Sequence, residues 1–366
     1  MTTFKAICSY FEEIAPLALQ ESYDNSGLIV GHPDEKVTGI LVSLDCTEAV
    51  ITEAIQKNCN LIVCHHPIVF SGLKKLNGNN YVEKAVIKAI QNQIGILALH
   101  TNLDNVFQGV NHVFATKIGL SNCKILKPIS GNIIHLSVFV PAANAETLKQ
   151  GLFDAGAGHI GNYDHCAFQT NGVGSFRPLE NSNPFSGQKG KTEIVEELKI
   201  EVVFQKHLKN KVLAALHENH PYEEVAYQCI ELLNPNQTTG SGMIGELDQA
   251  LPTQEFLKHL KTSIKLEMIR FTNFDEKSIK KVAVCGGAGS FLLKEAIAQG
   301  ADAFVSADFK YHEFFDAEER LLIADIGHFE SEKYTKDLIS DLIIKKFPNF
   351  AVLLSQTNTN PVNYFY

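Results

Sequence analysis

Between Ile40 and Leu99 short apolar runs alternate with helical patterns, and this rhythm constrains the fold more than any other feature of the chain. Ile40 to Leu44, Leu61 to Cys64 and Ile94 to Leu99 read as strands, with Thr47 to Asn58 and Tyr81 to Gln93 as the helices between them. A parallel neighbour cannot be reached by a tight turn, so this alternation predicts parallel strands joined by crossover helices. The rhythm returns near the C-terminus. Lys281 to Cys285, Ala303 to Ser306 and Leu321 to Asp325 read as strands, and Phe291 to Gln299 and Glu332 to Phe347 as helices.

The middle of the chain breaks the rhythm. It is rich in glycine and flanked by two strand-helix patterns: His135 to Val140 with Ala145 to Asp154, then Lys199 to Phe204, Leu208 to Glu218 and Glu224 to Leu232. That β-α-β-β-α-β order is ferredoxin-like, provided the glycine-rich stretch supplies one strand. With 366 residues and 45% apolar composition, the chain exceeds the roughly 250 residues that one core holds. The expected organisation is an α/β domain from residues 1–127 and 239–366, interrupted by an α+β domain over 128–238, with Pro128 and the turn-rich Asn234 to Gly242 as its limits.

Three predicted strands deliver metal-type ligands as their apolar run ends. Leu61 to Cys64 leads to His65 and His66, Ile96 to Leu99 leads to His100 and Asp104, and Leu321 to Asp325 leads to His328 and Glu332. Ligands bind beyond the carboxyl ends of α/β strands, so neighbouring strands of this kind would bring the three segments together. Adjacent residues of an extended segment point opposite ways, which suits His65 and His66 to one ion each of a neighbouring pair. His328 and Glu332, four apart at a helix start, share a face, where the carboxylate can bridge both ions; Asp104 is the natural second bridge. Imidazole and carboxylate suit two divalent ions, zinc first, with iron, manganese, cobalt and nickel also open. Such a pair activates water, and hydrolysis is the chemistry that follows. His100 reads either as a further ligand or as a donor that orients Asp104 or a substrate and moves a proton.

Other segments say less. Val284 to Ser290 is a glycine-rich strand-to-helix turn, open to phosphate binding or to tight packing. Asp308, Lys310 and His312 follow a strand end and read as substrate contacts or as a solvated loop. His217, His220, Tyr222, Glu223 and Glu224 cluster near a turn in the middle domain and read as structural. The net charge of -9 disfavours nucleic acid and acidic membranes as partners. Eight cysteines without a C-x-x-C pair read as reduced thiols, and Glu12 and Glu13 interrupt any signal-peptide core in the amphipathic Met1 to Gln20. No run approaches a membrane span, so the expected location is the cytoplasm.

Four motifs in order, Glu21 to Gly31, His65-His66-Pro67, Leu99 to Asp104 and His328 to Glu332, resemble the GTP cyclohydrolase I type 2 homologue family, also called Nif-three-like or NGG-one-interacting-factor-like. The likeness covers both outer thirds. It implies a dinuclear metal centre at His65, His66, Asp104, His328 and Glu332. It also implies a toroidal homohexamer with the metals facing an inner cavity and, in long bacterial members, an inserted domain similar to PII and CutA proteins that caps the toroid. Tyr23 stands where the family usually has Trp. Two functions follow as expectations. One is a metal-dependent hydrolase of a nucleotide or related compound, with His100 handling protons and Lys310 and His312 contacting substrate. The other is a non-catalytic, regulatory or scaffold oligomer whose PII-like insert senses a small ligand.

Overall fold

The computed structural model describes residues 2–273 and 278–365. The N-terminal pattern forms a helix over Phe4–Ile14, capped by the Thr3 hydroxyl, which accepts from the Ala6 amide at 3.3 Å; Met1 lies outside the described residues. The strands that follow are β1 (Gly27–Val30), β2 (Gly39–Ser43), β3 (Leu61–Cys64), β4 (Gly95–Ala98) and β5 (Ser121–Ile129). The middle contributes β6 (Ile133–Pro141), β7 (Ala167–Phe176), β8 (Glu193–Gln205) and β9 (Tyr227–Leu232). The last stretch carries β10 (Asn236–Pro252), β11 (Arg270–Phe271), β12 (Ser278–Ala288), β13 (Ala303–Ala307), β14 (Leu322–Asp325) and β15 (Ala351–Leu354).

The chain divides into two compact units, one running to Pro128 and resuming at Gln237, the other Ile129–Asn236. The first unit holds two sheets, ordered β1-β4-β3-β2-β15 and β11-β14-β13-β12-β10-β5. Strands β2, β3 and β4 run parallel and are buried along their whole length, which explains their unbroken apolar sequence. The crossover helices Glu48–Gln56 and Tyr81–Gln91 are capped by Thr47 and Asn80 and bury Val50, Ile51, Ala85 and Ala89 against this sheet. In the second sheet β12, β13 and β14 are parallel. Helix Thr253–Ile264 seals its core with Phe256, Leu260 and Ile264.

In the second unit the sheet order is β7-β8-β6-β9 and each neighbouring pair is antiparallel. Helices Ala145–Asp154 and Lys209–Asn219 bury Leu148, Leu152, Val212 and Leu216 in its core. The arrangement is compatible with the ferredoxin-like order, and β7, which contains Gly172 and Gly174, is the strand drawn from the glycine-rich stretch.

Three readings of the first unit change. The three ligand-bearing strands are not neighbours in one sheet: β3 and β4 pair in the first, while β14 lies in the second. The turn-rich Asn234 to Gly242 is largely the start of β10, where Gly240 and Gly242 hold positive φ and a Cβ on Gly240 would meet the Lys127 carbonyl oxygen at 2.2 Å. The helix read over Glu332 to Phe347 is two helices, His328–Glu332 and Thr335–Lys346.

Candidate metal centre

The carboxyl ends of both parallel strand sets supply this site. Beyond β2 comes Asp45, beyond β3 come His65 and His66, and beyond β4 come His100 and Asp104. From the second sheet come Asp308 after β13, His328 and Glu332 after β14, and the Gly286-Gly287 end of β12. Parallel strands order their carboxyl ends on one edge, and side chains placed just beyond those ends converge there.

Each imidazole is held by its Nδ1. His65 donates to the Leu99 carbonyl at 2.7 Å, His66 to Asp45 at 2.7 Å, His100 to Asp24 at 2.7 Å and His328 to Asp308 at 2.6 Å. The partners are acceptors, which assigns the proton to Nδ1 and leaves Nε2 to face the centre. Anchoring of this kind is what metal-ligating histidines show.

Glu332, almost fully buried, divides its two oxygens. Oε2 lies 2.9 Å from His66 Nε2 and 3.2 Å from His328 Nε2, while Oε1 lies 3.7 Å from His65 Nε2. His65 Nε2 also lies 3.7 Å from Asp104 Oδ1, and neither atom has a hydrogen-bond partner. Two buried orphan acceptors in one pocket each carry a desolvation penalty of about 1–3 kcal/mol unless a cation or a donor lies between them. The spacing is too long for a hydrogen bond but suits two ligands of one ion, since bonds of about 2.1 Å at an angle near 120° separate the ligands by about 3.6 Å. His65, Asp104 and Glu332 thus form one group able to hold a cation, His66, His328 and Glu332 a second, and the rings of His65, His66 and His100 a third. Asp104 belongs to the first of these groups only, the inner one, whereas Glu332 belongs to the first and to the second, outer group.

Electrostatics agree with a place made for positive charge. Burial opposes charge on His66, yet hydrogen bonds to Asp45 and Glu332 raise its pKa to about 9. Burial is likewise outweighed at His328 by Asp308 and Glu332, which raise it to about 11. Burial, then the charge of Glu332, pushes Asp104 up to about 8. Burial would raise Glu332 too, but the imidazoles of His328, His65 and His66 hold it well below the usual carboxylate range. Protons gather where cations are wanted.

Gly287 explains the glycine-rich turn. Its φ is +62°, and a Cβ there would come within 2.5 Å of Glu332 Oε1, so close packing against the shared carboxylate requires glycine. The centre opens into a cleft of about 410 Å³ walled by Tyr23, Phe70, His100, Asp104 and Phe291, and into a second of about 480 Å³ that includes Asp45, Arg270, Asp308 and Tyr364. Lys310 and His312 line neither cleft. The backbone turns at Asp308, whose φ is +58°, so Asp308 reaches His328 while Lys310 and His312 are exposed and the His312 ring packs with Tyr311 and Phe315. In the second unit His220 Nε2 pairs with the Phe139 carbonyl at 2.9 Å and the Tyr222 hydroxyl donates to Glu197 at 2.8 Å.

A profile of the Duf34/NIF3 (NGG1p interacting factor 3) family matches residues 2–361. The chain belongs to the Duf34/NIF3 family. Curated relatives include proteins named GTP cyclohydrolase 1 type 2 homolog from Halalkalibacterium halodurans, 37% identical with 98% of each chain covered, and from Bacillus subtilis, 35% identical with 98% of this chain and 97% of the relative covered. Among solved structures, a Bacillus cereus protein related to NIF3 superposes with a TM-score of 0.87 at 36% identity, covering 100% of this chain and 99% of that one. The family likeness read from the four motifs is therefore borne out. No helix among the described residues is long and apolar enough to cross a membrane.

Asp24 and Asp45 escaped the sequence reading as site residues. Asp45 follows the run Ile40 to Leu44 just as His65 follows Leu61 to Cys64, so its position at a strand end was a signal. Asp24 sits in a loop before β1 and is fixed by long-range bonds, accepting from the Thr101 amide at 3.0 Å and pairing with His100. It lies inside the Glu21 to Gly31 motif, but no periodicity or strand end marks it as a site residue.

Proposed function

We propose that this chain is a dinuclear divalent-metal protein that hydrolyses a nucleotide or a related heterocyclic compound. The observation that carries this reading is the bare pair His65 Nε2 and Asp104 Oδ1 beside a carboxylate whose two oxygens face two imidazole groups. His65, Asp104 and Glu332 would hold one ion, His66, His328 and Glu332 the other. Zinc fits first, with iron, manganese, cobalt or nickel as alternatives. Bound there, such ions supply a water of lowered pKa and a Lewis acid for charge on the attacked centre. His100, fixed at Nδ1 by Asp24, keeps Nε2 turned to the cleft and can hold or pass a proton there. The curated relatives' name, GTP cyclohydrolase 1 type 2 homolog, makes a purine nucleotide the first substrate to test.

The test is a nucleotide panel incubated with metal-loaded protein and followed by chromatography. Turnover that disappears in Asp104→Ala and survives in a distant surface variant is the expected result. No turnover with any of the five metals, in protein that binds two ions, would make this a binding protein instead. The toroidal homohexamer and the PII-like nature of the insert belong to the same proposal. Tyr311 and Phe315, both largely exposed in a single chain, support burial by a neighbouring copy, and a solution mass of six chains by light scattering checks it.

A further inference from the structure

The cleft over the metal centre has an unusual balance of charge and apolar surface. Tyr23, Phe70 and Phe291 stand at its walls with 60%, 52% and 57% of their surface exposed, which no packing need explains. The Tyr23 and Phe70 rings lie 6.1 Å apart, and Phe70 lies 6.2 Å from the His100 ring, so a flat ligand entering here would meet an aromatic face on its way to the centre. Among the described residues that line this cleft there is neither lysine nor arginine. In the second cleft Arg270 is the one such residue, and it is already bound to Asp325 and to the Phe309 carbonyl.

Negative charge is abundant by contrast. Glu21, Asp24, Asp45, Asp104, Asp308, Asp325, Glu330 and Glu332 all border the clefts or anchor their imidazoles, so these carboxylates outnumber the positive charge of Arg270 and two divalent ions together. Glu21, which lines the first cleft, accepts from the Asn105 side-chain amide at Oε1, 3.2 Å. A carboxylate in that position accepts hydrogen bonds and donates none.

Taking the metal-centre reading as its basis, we infer that the cleft selects an uncharged, planar nitrogen heterocycle with an N–H edge, such as a free base, a nucleoside or a cyclic amide, and discriminates against polyphosphates. The ring stacks on Phe70 and Tyr23, its N–H groups face Glu21, and its reactive carbon reaches the metal pair. In the hydrolysis that follows, the water oxygen forms a bond to that carbon, the ring C–N bond breaks, and the departing nitrogen takes a proton. A triphosphate would bring three or four more negative charges into clefts whose described lining residues include no free lysine or arginine to meet them.

The experiment is equilibrium dialysis of one base with its nucleoside, 5′-monophosphate and 5′-triphosphate against protein whose metal content is measured in the same sample. The expected order is nucleoside and base tightest, with a loss of about threefold or more per added charge that shrinks as salt is raised. Phe70→Ala, at an exposed position where the fold is not at stake, should weaken the nucleoside about tenfold, since one stacked base is worth about that much. Glu21→Gln should narrow the gap between nucleoside and triphosphate. Triphosphate binding as tight as nucleoside binding, or no binding of any uncharged ring, in protein that holds its two ions would overturn the inference and leave the metal reading standing. Protein that takes up no divalent ion would overturn the metal reading first, and the order of ligands measured on it would still decide the preference of the cleft.

Discussion

The two sides of the candidate metal centre are built on different terms. On the inner side His65 is fully buried, held by a backbone carbonyl, and faces Asp104 and Glu332 Oε1 across gaps that no hydrogen bond spans. On the outer side His66 and His328 already bond Glu332 Oε2, and each is backed by a second carboxylate, Asp45 or Asp308. The inner side sets two acceptor atoms without hydrogen-bond partners against each other, whereas on the outer side both imidazoles are bonded to carboxylates that raise their pKa values. An ion entering the first relieves orphaned atoms; one entering the second must displace what is there. The inner ion should therefore be the tighter of the two.

Glu332→Gln should have the largest effect, because this carboxylate alone faces both sides. Residues that only orient a ligand are worth about 10–100-fold in metal affinity, so losing a shared ligand should weaken both ions by more than about a hundredfold in elemental analysis after dialysis. Retention of one ion at full strength would show that the sides do not share it. His328→Ala is expected next in size: the outer ion is lost and the inner one kept, giving about half the metal per chain. Loss of both ions in that variant would erase the distinction between the sides.

Much of this division was legible in sequence. Strands β3 and β4 were readable because buried parallel strands are unbroken apolar runs, and the candidate ligands stood out because they begin where those runs stop. What could not be read was which strand lies beside which. Strand β15 pairs with β2 across some three hundred residues, and β14 joins a different sheet from β3, yet its short apolar run looks like any other. Lys310 and His312 were misplaced for a related reason: one left-handed residue, Asp308, redirects the loop, and aspartate at φ +58° leaves no mark on periodicity. Gly287 shows the reverse case. Its glycine was visible, but the need for it came from a carboxylate more than forty positions away.

A smaller effect is expected from Asp45→Asn, which keeps the size of the side chain but removes the charge that holds the His66 Nδ1 proton. The outer ion should weaken by about 10–100-fold and the inner one should be unchanged, as measured by competition with a chelator. Equal weakening on both sides would mean that Asp45 acts through the whole centre rather than through His66.

The smallest effect is one of pH, and it separates protons from metal. In the metal-free protein His66, near 9, His328, near 11, and Asp104, near 8, all sit above their ordinary values. A raised folded-state pKa gives stability that is fully present below the unfolded value and is lost as pH climbs through the folded one. Between about pH 6.5 and 9 the metal-free chain should therefore become easier to melt. Over the same interval an added ion meets fewer protons on the outer imidazoles and binds more tightly. Both trends act in one direction, so the gain in Tm on adding zinc should be larger at pH 8.5 than at pH 6.5, by a few degrees. In His328→Ala, which keeps only the inner ion, that pH dependence should shrink, since the outer imidazole with the highest raised pKa is gone. A gain that is flat with pH in the wild-type chain would mean that the outer imidazoles do not carry the displaced protons, and the two sides would then differ in burial alone.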